Sequence, residues 1–117
     1  MKDNKFETKA IREGYKASQE QEHSAAIFLS SSFTFDSAEQ AAAAFKDETD
    51  HFLYSRFSNP TVAMFENRLA AIEGAEAAFA TATGMAAMFA SVACLVKTGD
   101  RVVASAAMFS SCYVVLT

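Results

Sequence analysis

Polar and apolar positions are mixed through the first half of the chain, and beyond residue 76 the sequence becomes almost wholly apolar. Phe6, Ile11 and Tyr15 have the spacing of a short amphipathic helix, but polar surroundings and Gly14 interrupt it, so residues 1–22 read as a weak helix or an arm. From Ala25 to Phe35 β-formers occur without a helical stripe. That predicts an extended segment, not necessarily paired, with Phe33 and Phe35 on one side. Asp36-Ser37 followed by Glu39-Gln40 is a helix start with capping-box spacing from Ser37 to Gln40, and good helix formers continue from Ala38 to Phe45. The acidic cluster Asp47, Glu48, Asp50 ends that helix in a loop. A further helix should begin at Asn59-Pro60 and run to about Glu73, because Asn is a good N-cap and Pro suits the first helical position. Val62, Phe65, Leu69 and Ile72 form one apolar stripe along it, and Gly74 stands where a C-terminal cap belongs.

The apolar half predicts a different architecture. Ala75–Ala82 reads as a short strand, Thr83-Gly84 as a turn, and Met85–Val96 as a helix apolar nearly all round, hence buried on several sides. Lys97 sits near its C-terminus, Thr98-Gly99-Asp100 makes the return, and Arg101–Ser105 is a second short strand. Strand, helix, strand at this spacing is a right-handed parallel unit of an α/β sheet. A turn or helix starts after Met108. The chain stops within the apolar run Val114-Val115-Leu116, which is no natural end for a domain, so an N-terminal fragment of a longer protein is expected. Ala77–Val96 is twenty residues without a charge, long enough for a membrane span. Its Ala, Thr and Ser content, the central Gly84 and the lack of aromatic or basic anchors favour the strand, turn and helix instead.

Composition narrows the class. A chain of 117 residues is one domain's worth, and 51% hydrophobic residues with a net charge of -4 describe an acidic globular protein without the basic surplus that nucleic acid requires. Residues 1–50 carry six Lys/Arg against ten Asp/Glu, whereas residues 51–117 carry four against four. The first part is therefore expected to be solvated or to wrap a surface, and the last forty residues to be core. Cys94 and Cys112 lack metal-ligand spacing and are expected as buried free thiols. The highly charged start is not a signal peptide, which favours the cytoplasm.

Two stretches are suited to holding a phosphate. In an extended Tyr54-Ser55-Arg56 the phenol and the guanidinium point the same way, and a planar fork plus a hydroxyl matches a phosphate. The plainer alternative is a surface Arg56 paired with Asp50 or Glu66 beside a packed Tyr54. Thr83-Gly84-Met85 lies between a strand end and a helix N-terminus, where free N–H groups and the helix dipole favour an anion and Gly84 permits close approach; an ordinary turn is the alternative. No catalytic set accompanies them. His23 and His51 stand in polar, exposed surroundings, and Ser110-Ser111-Cys112 reads as a turn. The six lysines (Lys2, Lys5, Lys9, Lys16, Lys46, Lys97) sit in polar segments or at element ends, not in the desolvated pocket an imine-forming amine needs.

Tyr-Ser-Arg-Phe-Ser-Asn-Pro-Thr at 54–61, Glu73-Gly74-Ala75-Glu76, Thr83-Gly84-Met85-Ala86-Ala87 and Thr98-Gly99-Asp100-Arg101-Val102-Val103 resemble, in order and spacing, the N-terminal part of the pyridoxal-phosphate-dependent enzymes of cysteine and methionine metabolism. That family includes cystathionine synthases and lyases, methionine gamma-lyase and homoserine-ester sulfhydrylases. The stretch from Glu22 to Phe33, with Ala26 where many relatives have Pro, is most similar to the branch acting on O-succinylhomoserine. The resemblance implies an α/β, fold-type I transferase: residues 1–59 as an arm and helix contributing to a neighbouring subunit, and 60–117 as the incomplete start of the large cofactor-binding domain. It further implies that sulfide displaces succinate from O-succinylhomoserine to give homocysteine, with pyridoxal 5'-phosphate as cofactor.

By position, the Gly84 and Met85 N–H groups match phosphate binders, with Thr83 beside them, and Tyr54 and Arg56 match residues that reach the neighbouring subunit's cofactor phosphate. Phe109 falls where many relatives stack a Tyr on the pyridine ring, keeping the aromatic face without the hydroxyl. Ser111 falls where methionine gamma-lyase has Cys, so both positions weaken a lyase assignment. The Schiff-base lysine, and the Asp that pairs with the pyridine nitrogen, are expected beyond residue 117, which would leave this chain inactive alone. A cytoplasmic homo-oligomer, a dimer of dimers with shared sites and no membrane or nucleic-acid partner, is implied. The alternatives are a cystathionine gamma-synthase or lyase, or a non-catalytic segment that pairs with an intact subunit through exposed core surface.

Overall fold

A computed structural model describes residues 4–117 and orders five helices among them: α1 (Phe6–Arg12), α2 (Ala38–Phe45), α3 (Pro60–Glu73), α4 (Gly84–Ala93) and α5 (Ser110–Leu116). They fall into two compact units, one ending at Phe79 and one running from Ala80 to Thr117.

Helix α3 is the frame of the first unit, and local chemistry sets both its ends. Asn59 Oδ1 accepts the Thr61 N–H at 2.8 Å, with Pro60 in the first turn. At the other end Gly74 takes φ +67°, and both its N–H and that of Ala75 reach the Ala70 carbonyl. Helix α2 starts as its capping box requires: Ser37 Oγ accepts the Gln40 N–H at 3.1 Å, while Gln40 Oε1 reaches back to the Asp36 N–H at 2.7 Å, one residue beyond the reciprocal position.

Helix α1 packs on α3, and Gly14 lets it come close. Gly14 has φ +72°, and a Cβ there would lie 2.6 Å from the Met64 carbonyl oxygen and 3.1 Å from the Arg68 nitrogen. Arg68 Nε donates to the Glu13 carbonyl at 2.9 Å, tying the end of α1 to α3. The following loop closes on itself. Tyr15 O–H donates to the Glu22 carbonyl, and Arg12 donates to His23 Nε2 at 3.0 Å. The Ser18 hydroxyl and N–H both donate to the Glu22 carboxylate, at 2.7 and 3.0 Å. Those bonds hold the Glu22 carboxyl below its ordinary value, the Ser18 hydroxyl contributing most. A depressed carboxyl favours the folded loop above the usual carboxylate range, and the preference is lost as pH falls through the lowered value. Glu39 is lowered in the same way, first by its own N–H and then by Ser37.

The Ala25–Phe35 segment is neither helix nor named strand, and groups from the 53–61 stretch hold it. The Phe28 N–H donates to Thr61 Oγ1 at 2.9 Å, and Asn59 Nδ2 donates to the Phe28 carbonyl at 3.0 Å. The Ser55 hydroxyl and N–H reach the Ser30 and Ser31 carbonyls at 2.5 and 2.9 Å. One antiparallel bridge, Ser32 to Tyr54, stands among these contacts. Phe33 packs on Phe52, and Phe35 on Phe45 and His51, whose Nε2 bonds the Thr34 carbonyl. His51 is thus half-buried rather than exposed; His23 is exposed. Among the described residues only Ala44, Ala70 and Asn59 are buried. On the α3 stripe Val62, Phe65 and Leu69 remain exposed, while Ile72 is half-buried.

In the second unit α4 packs on α5. Thr83 caps α4 by accepting the Ala86 N–H at 3.1 Å. The Thr98-Gly99-Asp100 return forms as expected: Asp100 Oδ2 accepts the Lys97 N–H at 2.9 Å, and Gly99 takes φ +97°.

Several expectations for this half need correction. Neither Ala75–Ala82 nor Arg101–Ser105 is paired as a strand. Parallel pairing needs flanking strands and a covering apolar layer, and no such sheet is present among the described residues. Helix α4 begins one residue earlier than predicted and ends at Ala93. It buries none of its residues, because α5 is the one helix packed on it among those described. The last forty residues are therefore not core here. Cys94 is exposed and Cys112 half-buried, both free, and Ser110-Ser111-Cys112 is the first turn of α5. No described helix is long and apolar enough to cross a membrane.

Candidate cofactor-binding site

The first half of the candidate site is a turn, not the extended tripeptide predicted. After the bridge at Tyr54 the chain reverses, and the Phe57 and Ser58 N–H groups both bond the Tyr54 carbonyl, at 2.9 and 3.1 Å. Tyr54 and Arg56 still converge, through stacking: the guanidinium carbon lies 5.2 Å from the Tyr54 ring centroid and 5.1 Å from that of Phe57, within cation–π range. Polar side chains between them explain the outward display. Ser55, Asn59 and Thr61 spend their hydrogen bonds on the 28–31 segment, which leaves Tyr54, Arg56 and Phe57 exposed. Sequence reasoning missed this inward trio and Phe57. Small polar residues at 55, 59 and 61 were the available signal.

The second half is the start of α4. The Thr83 carbonyl accepts the Ala87 N–H at 3.1 Å and the Thr81 hydroxyl at 2.8 Å, and Thr83 Oγ1 takes the Ala86 N–H, leaving its own proton to donate. Among the described residues neither the Gly84 nor the Met85 N–H is given an acceptor. A Cβ on Gly84 would meet nothing within 4 Å, so the space over these donors is open. Two free N–H groups at a helix N-terminus beside a hydroxyl suit a dianionic phosphate. Phe109, which precedes α5 in the same unit, offers an exposed ring. Tyr54 and Arg56 are together in one unit, and Thr83, Gly84 and Met85 are together in the other.

Two clefts lie away from these residues. One of about 690 Å³ runs between the Gly14–Ser18 loop, the 47–52 loop and the start of α3, and one of about 380 Å³ gathers the C-terminal ends of α4 and α5. None of the six candidate residues lines either. Lys5, Lys16, Lys46 and Lys97 are exposed and Lys9 is half-buried; Lys2 lies outside the described residues. None of these five described lysines occupies a desolvated pocket.

Over residues 7–117 the sequence matches the family described as Cys/Met metabolism PLP-dependent enzyme. The chain belongs to this family. It is 49% identical over 108 residues to an O-succinylhomoserine sulfhydrylase of Mycobacterium tuberculosis, covering 92% of this chain and 27% of that protein. To one of Pseudomonas aeruginosa it is 48% identical over 106 residues, covering 91% and 26%. An L-methionine gamma-lyase of Pseudomonas putida is 40% identical over 101 residues, covering 83% and 25%. The chain thus spans about a quarter of the length of the curated relatives it matches. A crystal structure described as an O-acetylhomoserine (thiol)-lyase of Campylobacter jejuni, containing N'-pyridoxyl-lysine-5'-monophosphate, superposes with a TM-score of 0.78 at 34% identity, over 84% of this chain and 24% of that one. The fold is accordingly the N-terminal part of a fold-type I pyridoxal-phosphate enzyme, and the family's cofactor is pyridoxal 5'-phosphate. The open Gly84 and Met85 N–H groups with the Thr83 hydroxyl in one unit, and separately the exposed Arg56 guanidinium in the other, have the donor chemistry that a phosphate takes.

Proposed function

We propose that the full-length protein catalyses gamma-replacement on O-succinylhomoserine: the γ-carbon–oxygen bond breaks, succinate leaves, and a carbon–sulfur bond to sulfide takes its place to give homocysteine for methionine synthesis. The observation that carries this reading is the identity of 48–49% to two O-succinylhomoserine sulfhydrylases, above the 40% to a methionine gamma-lyase. When bound, the cofactor supplies the electron sink for the substrate. The chain's own residues bind and orient it. Gly84 and Met85 N–H groups and the Thr83 hydroxyl hold the phosphate of their own subunit's cofactor, Phe109 covers the ring, and residues 1–59 carry Tyr54 and Arg56 to the cofactor of a neighbouring subunit in a cytoplasmic homo-oligomer.

The test is product analysis on the full-length enzyme. With O-succinylhomoserine and sulfide it should release homocysteine and succinate. Cystathionine formed preferentially when cysteine is also supplied, or 2-oxobutyrate formed without a thiol, would reassign it to a synthase or a lyase. A protein with no cofactor absorbance band and no borohydride-trapped lysine adduct sinks the proposal outright.

Arg56→Ala should weaken cofactor retention by about ten- to a hundredfold, the value of a lost charge-assisted contact to phosphate. Mixed oligomers of Arg56→Ala with a variant lacking the cofactor-bound lysine should differ in activity per site from the plain average of the two parents. An average value removes the cross-subunit role.

A further inference from the structure

Phe57 is a large apolar side chain left 66% exposed in a tight turn. It takes no part in the hydrogen bonds by which Ser55, Asn59 and Thr61 secure the neighbouring segment. Its ring instead lies under the Arg56 guanidinium, at 5.1 Å, as near as the Tyr54 ring at 5.2 Å. The turn that brings the two rings to one cation is fixed by the bonds from the Phe57 and Ser58 N–H groups to the Tyr54 carbonyl. A free arginine side chain has large rotamer freedom that must be lost before its fork can meet an anion. Two aromatic rings near the same guanidinium remove part of that freedom in advance, while the Arg56 side chain stays exposed to an incoming anion.

We infer that Phe57 is a positioning residue: its ring pre-orders the Arg56 guanidinium for the cofactor phosphate. The inference rests on the proposed role of Arg56 as a phosphate ligand. Phe57 itself touches neither phosphate nor substrate.

The test is the dissociation constant of pyridoxal 5'-phosphate from the full-length enzyme, measured by fluorescence titration, together with the Arg56 Nε–H NMR shift of the apo-enzyme. Phe57→Leu keeps an apolar side chain but removes the π face. It should weaken cofactor binding by about two- to fivefold, the range of an exposed cation–π contact. It should also shift the Arg56 Nε–H resonance, by loss of the ring current. Phe57→Tyr should restore both. In an Arg56→Ala background Phe57→Leu should change cofactor affinity no further, whereas a purely structural role would lower it again. Should Arg56→Ala weaken binding while Phe57→Leu does not, the positioning role fails and the phosphate reading stands. Should Arg56→Ala itself leave cofactor affinity unchanged, the phosphate reading fails, and the NMR shift alone still reports whether Phe57 orders the guanidinium.

Discussion

Replacing Asn59 by alanine should cost the full-length protein about 2–4 kcal/mol of stability. Asn59 is the one buried polar residue among those described, at 6% exposure, and its amide serves three partners. Its oxygen caps α3 at the Thr61 N–H, a contact worth about 1 kcal/mol. Its nitrogen donates to the Phe28 carbonyl at 3.0 Å and to Ser55 Oγ at 2.9 Å, about 1 kcal/mol each, with a further penalty for the carbonyl left unsatisfied. Asn59→Asp separates these terms. The carboxylate keeps the cap but can no longer donate, so it should recover only part of the loss and should leave the 28–31 segment exchanging its amide hydrogens faster. An Asn59→Asp protein as stable as the parent, with unchanged exchange at Phe28, shows the amide nitrogen to be idle.

Gly14→Val is the second large effect, and a comparison within the chain isolates its cause. Gly14 and Gly74 have nearly the same backbone, φ +72° and +67°. A Cβ at Gly74 meets nothing within 4 Å, whereas one at Gly14 falls 2.6 Å from the Met64 carbonyl oxygen, a backbone atom with little room to give. Gly74→Ala should therefore show conformational strain alone, about 1 kcal/mol. Gly14→Val adds a collision that parts α1 from α3, also breaking the Arg68 to Glu13 bond, for a total of about 2–4 kcal/mol. Hydrogen exchange and limited trypsin cleavage after Lys9 and Arg12 should both accelerate in Gly14→Val and stay near the parent in Gly74→Ala. Equal behaviour of the two variants sinks the close-approach argument.

Where a structural decision is made by neighbours in sequence, the sequence alone discloses it. The capped starts of α3 and α2 and the Lys97–Asp100 return follow from side chains within four residues of the groups they satisfy, and the end of α3 from the left-handed backbone of Gly74. The helix start after the Thr83-Gly84 turn was readable to within one residue for the same reason, although the Thr83 cap itself was not. Decisions made at a distance were not legible. Whether Ala75–Ala82 and Arg101–Ser105 pair is decided by partners outside each segment, and residue periodicity within a segment contains no count of them. The turn at Tyr54–Ser58 was misread as extended, since alternation at 54 and 56 fits either conformation until the bonds to the Tyr54 carbonyl are seen. The double duty of Asn59 was half visible: its cap is local, but its grip on Phe28 spans 31 positions.

The Tyr54–Thr61 stretch divides one short motif into two sets of positions. Positions 55, 59 and 61 face their own chain, and 54, 56 and 57 face away from it. Given the proposed phosphate role of Tyr54 and Arg56, a combinatorial library that varies only the second set would explore altered cofactor residence times while the scaffold stays fixed. Varying the first set would instead sample folding competence, and survivors of such a selection would report nothing about the ligand.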